Sequence, residues 1–326
     1  MKKYLMLVVG LLLLLVGCSS ESGGNDEEGE DVTQWAMGTS SSGSSPYVLG
    51  SAISNVINEN SDTLNLSAQV TGGYEENFSL IESGNVEVAQ QNLYQYNLAY
   101  SGKEVYEGEA KENIRSLFNA SLMPVQIAVL DESNIKSFEH LKEKRFNMGA
   151  PRQATHNIAS IYLDTIGFSK EEDIVAGVQS TGDAAAALRD DQQDAVFLLS
   201  NVPHSGLIET ASTKPIDLVP IEGEIADKFI ANLNNSVVKT TIPADTYEGQ
   251  TEDIETVAFP IVLYVDESAS EEEVYEFTKT FWENLEQLHE TLPATKSLTQ
   301  ELATEGVQVP FHPGAERYFK EIGVME

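Results

Sequence analysis

Apolar residues recur in two rhythms along this chain. Leu49, Ala52, Ile53, Val56 and Ile57 fall at the spacing of a helix face, whereas Leu64, Leu66, Ala68 and Val70 alternate as one face of a strand does. The two rhythms take turns. A strand over 32–37 precedes a Ser/Gly loop at 38–45 and the first helix. After the break at Gly72-Gly73 come a short helix over 75–83, a strand over 86–89 and a helix over 93–100. A second series starts near Pro124. Its strands are read at 125–130, 146–149, 174–178, 195–199 and 216–219, with a helical turn at 138–142 and helices that include 154–166 and 183–189. Residues 257–265 (VAFPIVLYV) read as one long strand, whose Pro260 suits an edge or a crossing position. The clearest helix is 271–292, with Val274, Phe277, Phe281, Leu285 and Leu288 on one face, Ser270 as N-cap and Glu271 to Glu273 at its positive end. No internal repeat is evident. Alternating strands and helices predict an α/β protein with parallel, helix-covered sheets. Two such series and a late strand predict two lobes, with the chain crossing twice: a first lobe over 32–127, a second over 128–253 and a return over 254–326. A ligand cleft is expected between them.

The first residues obey neither rhythm. Met1-Lys2-Lys3 is a basic start, and 4–16 is an apolar run shorter than the ~20 residues a spanning helix needs. With Gly17-Cys18-Ser19-Ser20 behind it, the segment reads as a signal peptide. Leu15-Val16-Gly17-Cys18 is similar to the bacterial lipobox, so 1–17 is expected to be removed and Cys18 acylated; an ordinary signal or an uncleaved anchor is the alternative. The expected address is the outer face of the cytoplasmic membrane, with the acyl chains as the only membrane contact. Residues 18–31 (CSSESGGNDEEGED) carry no large apolar side chain and read as a disordered acidic tether.

Composition narrows the function. Nineteen Lys and Arg against 52 Asp and Glu leave a net charge of −33. Nucleic-acid binding, which needs clustered bases, is excluded, and so is electrostatic attraction to anionic lipid. Apolar residues make up 41% of the chain, too many for wholesale disorder. A single cysteine forbids an intrachain disulfide and a Cys-based cluster. Acidity of this degree suits a salty or alkaline setting.

Three stretches could carry chemistry. The loop Gly38 to Ser45 joins a strand to a helix, and its free N–H groups and hydroxyls could hold an anion; it also reads as a flexible polar loop. It lacks the Gly-Lys-Ser/Thr ending of a P-loop and the Gly-x-Ser-x-Gly elbow. Gly149 to Asn157 also joins a strand to a helix. Arg152 there could clamp a carboxylate, or simply pair with a surface acid. Gln90-Gln91-Asn92, with Tyr94 and Tyr96, could orient a small polar ligand. His140, His156, His204, His289 and His312 form no metal-binding pattern. No cofactor, no metal and no catalytic residue is expected. A hydrolase acting through the serine-rich loop would need a base that the neighbouring sequence does not offer.

Four ordered motifs resemble the TAXI group of solute receptors of TRAP transporters. They are Gly38-Thr39 with Gly43, Tyr47 and Gly50; Gly72-Gly73-Tyr74-Glu75-Glu76-Asn77; Ile242-Pro243-Ala244-Asp245-Thr246-Tyr247-Glu248-Gly249-Gln250; and His312-Pro313-Gly314-Ala315 with Tyr318 and Gly323. The resemblance covers 33–325. It implies a two-lobed, type II periplasmic-binding-protein fold that captures a small carboxylate or amino acid, glutamate- or glutamine-like. The solute passes to an ion-gradient-driven TRAP membrane permease, which could be a fused permease. The receptor is expected to be monomeric; a receptor of an ATP-driven importer is the alternative. The ligand residues it implies are Thr39, Ser40, Gly43, Tyr47, Asn77, Gln91, Asn92, Thr155, Asn201 and Pro203. The family's Gly-Ser-Gly-Thr is replaced here by Arg152-Gln153-Ala154-Thr155, so Arg152 and Gln153 join the candidates. Asn92 stands where an Asp is common, and Pro46 where an aromatic often precedes Tyr47. An added Arg and a missing Asp both suit an anionic ligand.

Overall fold

The computed structural model describes residues 32–326 other than Gly43 and Arg152. The expected leader, Cys18 and the tether lie outside the described residues. The first series consists of β1 (Thr33–Gly38), α1 (Ser45–Asn60), β2 (Leu64–Gln69), α2 (Tyr74–Glu82), β3 (Val88–Asn92) and α3 (Leu93–Ser101), followed by the long β4 (Ile114–Leu130). The second holds β5 (Arg145–Asn147), α4 (Ala154–Ile166), β6 (Val175–Gly177), α5 (Thr181–Arg189), β7 (Ala195–Leu199), α6 (Ser205–Ala211), β8 (Ile216–Val219), α7 (Gly223–Asn232) and β9 (Val238–Ile242). β10 (Ile254–Asp266), α8 (Glu271–Glu283), α9 (Leu285–Thr291) and α10 (Pro313–Glu321) complete it. Among the described residues no helix is long and apolar enough to cross a membrane.

Two strands join the lobes. Ile114 to Pro124 of β4 pairs with β10, whereas Val125 to Leu130 pairs with β7 and β8. β10 likewise pairs with β9 through Ile254 to Ala258 and with β3 through Ile261 to Val265. The first lobe therefore has the order β2-β1-β3-β10-β4 and the second β6-β5-β7-β4-β8. In each, three parallel strands meet one antiparallel crossing strand. The two orders match although no repeat is visible in the sequence. Pro260 occupies a crossing position, in the short stretch where β10 has β4 on one side and neither β3 nor β9 on the other. A residue without an N–H removes no ladder bond on that open side.

The start of β4 escapes sequence reading because it is buried on both faces and carries polar residues. Ser116, Asn119 and Ser121 are all buried. The irregular segment before α10 satisfies two of them: Asn119 Nδ2 donates to the carbonyls of Leu302 (2.8 Å) and Glu305 (3.0 Å), and Ser116 Oγ to that of Val309 (3.2 Å). Polar side chains in a strand can thus be core residues whose partners lie almost 200 positions away. The helix expected over 271–292 divides at Asn284. The Asn284 amide donates back to the Thr280 carbonyl (2.8 Å), a local competition that interrupts helices.

α1, α8 and α10 cover one face of the first lobe. Phe118, Phe277, Phe281 and Trp282 form an aromatic cluster there, with Phe118 and Phe281 ring centroids 4.4 Å apart. The C-terminal motif seals this face. A Cβ at Gly314 would lie 2.3 Å from the Glu271 carbonyl oxygen, so α10 approaches α8 more closely than any side chain permits. His312 caps α10: its Nδ1 accepts the Gly314 N–H (3.3 Å) while Nε2 lies 3.1 Å from the Ala269 carbonyl. A carbonyl only accepts, so Nε2 carries the proton and the ring is neutral.

Candidate functional site

A cavity of about 610 Å³ opens where both lobes contribute walls. It lies at the carboxyl ends of β3 and β7, where parallel sheets present their helix starts. Ser45 of α1, Tyr74 and Glu75 of α2, Asn92 and Tyr94 at the start of α3, and Ala154 and Asn157 of α4 all line it. Four helix N-termini, each equivalent to about half a positive charge, therefore face one space. α2 and α4 have no side chain capping their first N–H groups, leaving those donors open. Leu49, Met123, Ile158, Leu199, Phe259 and Ile261 supply an apolar wall. Among the described lining residues the one charged side chain is Glu75, whose Oε1 accepts the Tyr106 hydroxyl (2.6 Å).

Two consecutive glutamines at the end of β3 distinguish this wall. Gln90 Nε2 donates to the Pro46 carbonyl (2.7 Å), and Gln91 Oε1 accepts the Asn92 N–H (2.8 Å). A carbonyl can only accept and an N–H can only donate, so both amides have one permitted orientation. The atoms left over are an acceptor, Gln90 Oε1, and a donor, Gln91 Nε2; both are buried, and neither has a hydrogen-bond partner among the described residues. Unpaired buried polar atoms are uncommon, and these two belong to adjacent residues lining a cavity. Asn92 Oδ1 caps α3 by accepting the Tyr94 N–H (3.0 Å). The Tyr94 hydroxyl donates to Glu104 (3.0 Å), and burial with that carboxylate pushes the phenol up to about 12.

Of the residues singled out in the sequence, the structure brings Gln90, Gln91, Asn92, Tyr94 and Asn201 to this cavity. Pro203, which follows a cis peptide bond, lines an adjoining recess with Ser200, Asn201 and His204. Thr39 is buried and its hydroxyl donates to the Gln69 carbonyl (2.6 Å). Asn77 is buried beneath the first loop, its Nδ2 on the Thr39 carbonyl (2.9 Å). Ser40 and Tyr47 are half-buried on that loop and on α1, outside the lining. Gln153 is exposed, its Oε1 3.3 Å from the Ala150 N–H, and Thr155 is buried with its hydroxyl 3.5 Å from that of Thr181. Gly43 and Arg152 lie outside the described residues. Met123, Leu199, Phe259 and Ile261 carry no signal that separates them from other apolar strand positions. Only the packing of two lobes puts them on a wall.

The motif ending at Gln250 shapes the second lobe's contribution. The Tyr247 hydroxyl donates to Gln126 Oε1 (2.5 Å) and accepts the His204 N–H (2.7 Å). Gln126 Nε2 in turn donates to Ser200 Oγ (3.0 Å). Burial raises the phenol above its ordinary range, so it stays protonated and keeps both roles. A Cβ at Gly249, whose φ is +103°, would lie 2.7 Å from the Ile216 carbonyl oxygen. That glycine lets the motif lie against β8 and aim Tyr247 at the 200–204 loop.

A model of the NMT1-like family matches residues 37–323. Among solved structures, a TctC solute binding protein from Polaromonas superposes with a TM-score of 0.56 at 14% identity, over 90% of this chain and 98% of that one. A probable amino-acid ABC transporter extracellular-binding protein from Bacillus subtilis superposes with a TM-score of 0.50 at 11% identity, over 82% and 99%. At these identities the likeness is one of fold. The fold is the two-lobed, type II periplasmic-binding-protein architecture.

Proposed function

The chain belongs to the NMT1-like family, and from that premise we propose that it is an extracytoplasmic solute receptor. It takes up a small carboxylate or amino acid between its lobes and hands it to a membrane permease. The observation that carries this reading is the cavity itself: walls from both lobes and four helix starts facing inward. Such a site binds and orients. Among the described residues no nucleophile with an adjacent base lines it, and the protein is read as a receptor without catalysis. Ligand binding favours a closed arrangement of the lobes, which is the form a permease would recognise.

The motifs shared with TAXI receptors favour a TRAP-type, ion-gradient-driven permease over an ATP-driven one. Cys18 anchors the receptor to the outer face of the membrane through its acyl chains, on the acidic tether. Gln91, Asn92 and Asn201 are the proposed ligand contacts, and Arg152 adds a cation to the anion's side. A thermal-shift screen of amino acids and organic acids tests the reading. A true ligand at 100 times its dissociation constant stabilises the fold by about 2.7 kcal/mol; no shift with any carboxylate defeats it. Uptake by the receptor and its permease in vesicles separates the two machines: an imposed ion gradient without ATP drives the first, and ATP alone drives the second. Arg152→Ala weakens binding of the carboxylate if that side chain meets it; unchanged affinities remove it from the site.

A further inference from the structure

We infer that the solute is an amphiphilic carboxylate: its anionic head sits in the second lobe at Ser200 and Asn201, and an apolar body, aliphatic or aromatic, lies on the wall at Tyr74, Met123 and Leu292. This rests on the receptor reading above. That wall is accessible as well as apolar. Tyr74 at the start of α2, Met123 of β4 and Leu292 after α9 line the cavity and are only half-buried. Val105 lines it too and is 80% exposed, the most of any large apolar side chain among the described residues. Single exposed apolar residues are ordinary, but several around one concave space mark a binding surface. A solute polar along its whole length would lose water against these side chains and gain no hydrogen bond there. An apolar body gains by covering them.

The accessible polar partners gather at the second lobe. A recess of about 410 Å³ adjoins the cavity, and Met123, Leu199 and Asn201 line both. Thr181, Ser200 and Ser205 add hydroxyls to the recess. Asn201 is half-buried, and no hydrogen bond of its side-chain amide is seen among the described residues. Ser200 Oγ accepts from Gln126 Nε2 (3.0 Å), which leaves its own proton to donate. An amide and a hydroxyl on adjacent residues can thus both donate to one carboxylate. Glu75 of the first lobe lines the cavity, and its carboxylate repels an anionic head toward the second lobe. With the head at Asn201, the rest of the solute extends past Met123 toward the first-lobe wall.

Isothermal titration and thermal shift of the purified full chain test this with five probes: butyrate, hexanoate, 3-phenylpropionate, L-glutamate and succinate. Each added CH₂ is worth about fourfold in affinity, so hexanoate is expected to bind about tenfold or more tightly than butyrate. Hexanoate or 3-phenylpropionate is expected to bind about tenfold or more tightly than glutamate and succinate. These comparisons need no variant. Two variants then separate the ends of the solute. Tyr74→Ser is expected to weaken 3-phenylpropionate several-fold and leave butyrate little changed. Asn201→Leu is expected to weaken butyrate and hexanoate alike, keeping the ratio between them. Equal affinity for butyrate and hexanoate, or glutamate or succinate binding as tightly as both apolar acids, overturns the inference and leaves the receptor reading standing. Asn201→Leu keeping full butyrate affinity overturns the placement of the head. Neither heat nor thermal shift from any of the five overturns both the inference and the receptor reading.

Discussion

Replacing Tyr247 by Phe removes one oxygen and should loosen an entire loop. That hydroxyl bridges the Gln126 amide and the His204 N–H at 2.5 and 2.7 Å, and Tyr247 is buried. Deleting it leaves an acceptor and a donor without partners. Each unsatisfied buried group costs about 1–3 kcal/mol, and relaxation or a water recovers part of that, so a net loss of about 3 kcal/mol is expected. A domain of this size has an unfolding entropy of about 0.6 kcal/mol per degree, so the thermal midpoint should fall by about 5 °C. Urea unfolding and calorimetry read both quantities. Tyr100→Phe is the control, since no hydrogen bond of its hydroxyl is seen among the described residues. A double variant, Tyr247→Phe with Gln126→Leu, should lose less than the sum of the two singles, because both disrupt one network. If Tyr247→Phe keeps the wild-type midpoint, the hydroxyl does not bridge the loop, and the role assigned to the Ile242 to Gln250 motif is wrong.

Other outcomes follow from the same geometry. Gly314→Ala should destabilise by about 2–4 kcal/mol, measured by urea denaturation, because its methyl would sit 2.3 Å from the Glu271 oxygen and force α10 from α8. Burial holds the His312 imidazole below its ordinary pKa. The unfolded chain then binds the proton first, so this stabilisation is present above about pH 6.5 and is lost as pH falls from there toward the folded value. His204 shifts in the same direction by burial and acts with the same sign. His312→Asn, which keeps a capping side chain, should flatten the stability profile between pH 7 and 5; a profile as steep as the wild type's would exclude His312 as the source. Gln91→Glu preserves the acceptor for the Asn92 N–H and replaces the free donor by a second acceptor. Binding of any carboxylate ligand should weaken about tenfold or more by titration calorimetry, and the thermal midpoint should fall as well, because Gln91 is buried and an ionised carboxylate at that depth is poorly solvated.

The net charge of −33 gains a local meaning from the cavity. A chain with this few bases cannot surround an anion with Lys and Arg, and among the described lining residues it does not. Helix starts and neutral amides stand in their place. The ion pairs it does form, such as Arg317 with Glu272 and Lys136 with Asp217, are partly exposed and contribute little to stability.

Apolar patterning was enough to read the helix over 154–166, which buries one face, and the strands over 195–199 and 216–219, which are short apolar runs buried on both faces. The double crossing between lobes was also legible, from two β-α series and a late apolar strand carrying Pro260. Motif likeness identified Gly314, Gly249 and Tyr247 as positions that matter. It could not say that these residues pack helices and hold a loop, because that depends on atoms of Glu271, Ile216 and Gln126 far away in the chain. The first half of β4 was invisible, since Ser116 and Asn119 look like loop residues until the 302–310 segment supplies their partners. The cavity belongs to the same class. Gln90 and Gln91 are an ordinary polar pair in the sequence. Only the backbone of Pro46 on one side and Asn92 on the other orients their amides and leaves one donor and one acceptor without a partner among the described residues. Local spacing governs which element a residue enters; which atoms remain unsatisfied is decided by long-range contacts that no window of sequence contains.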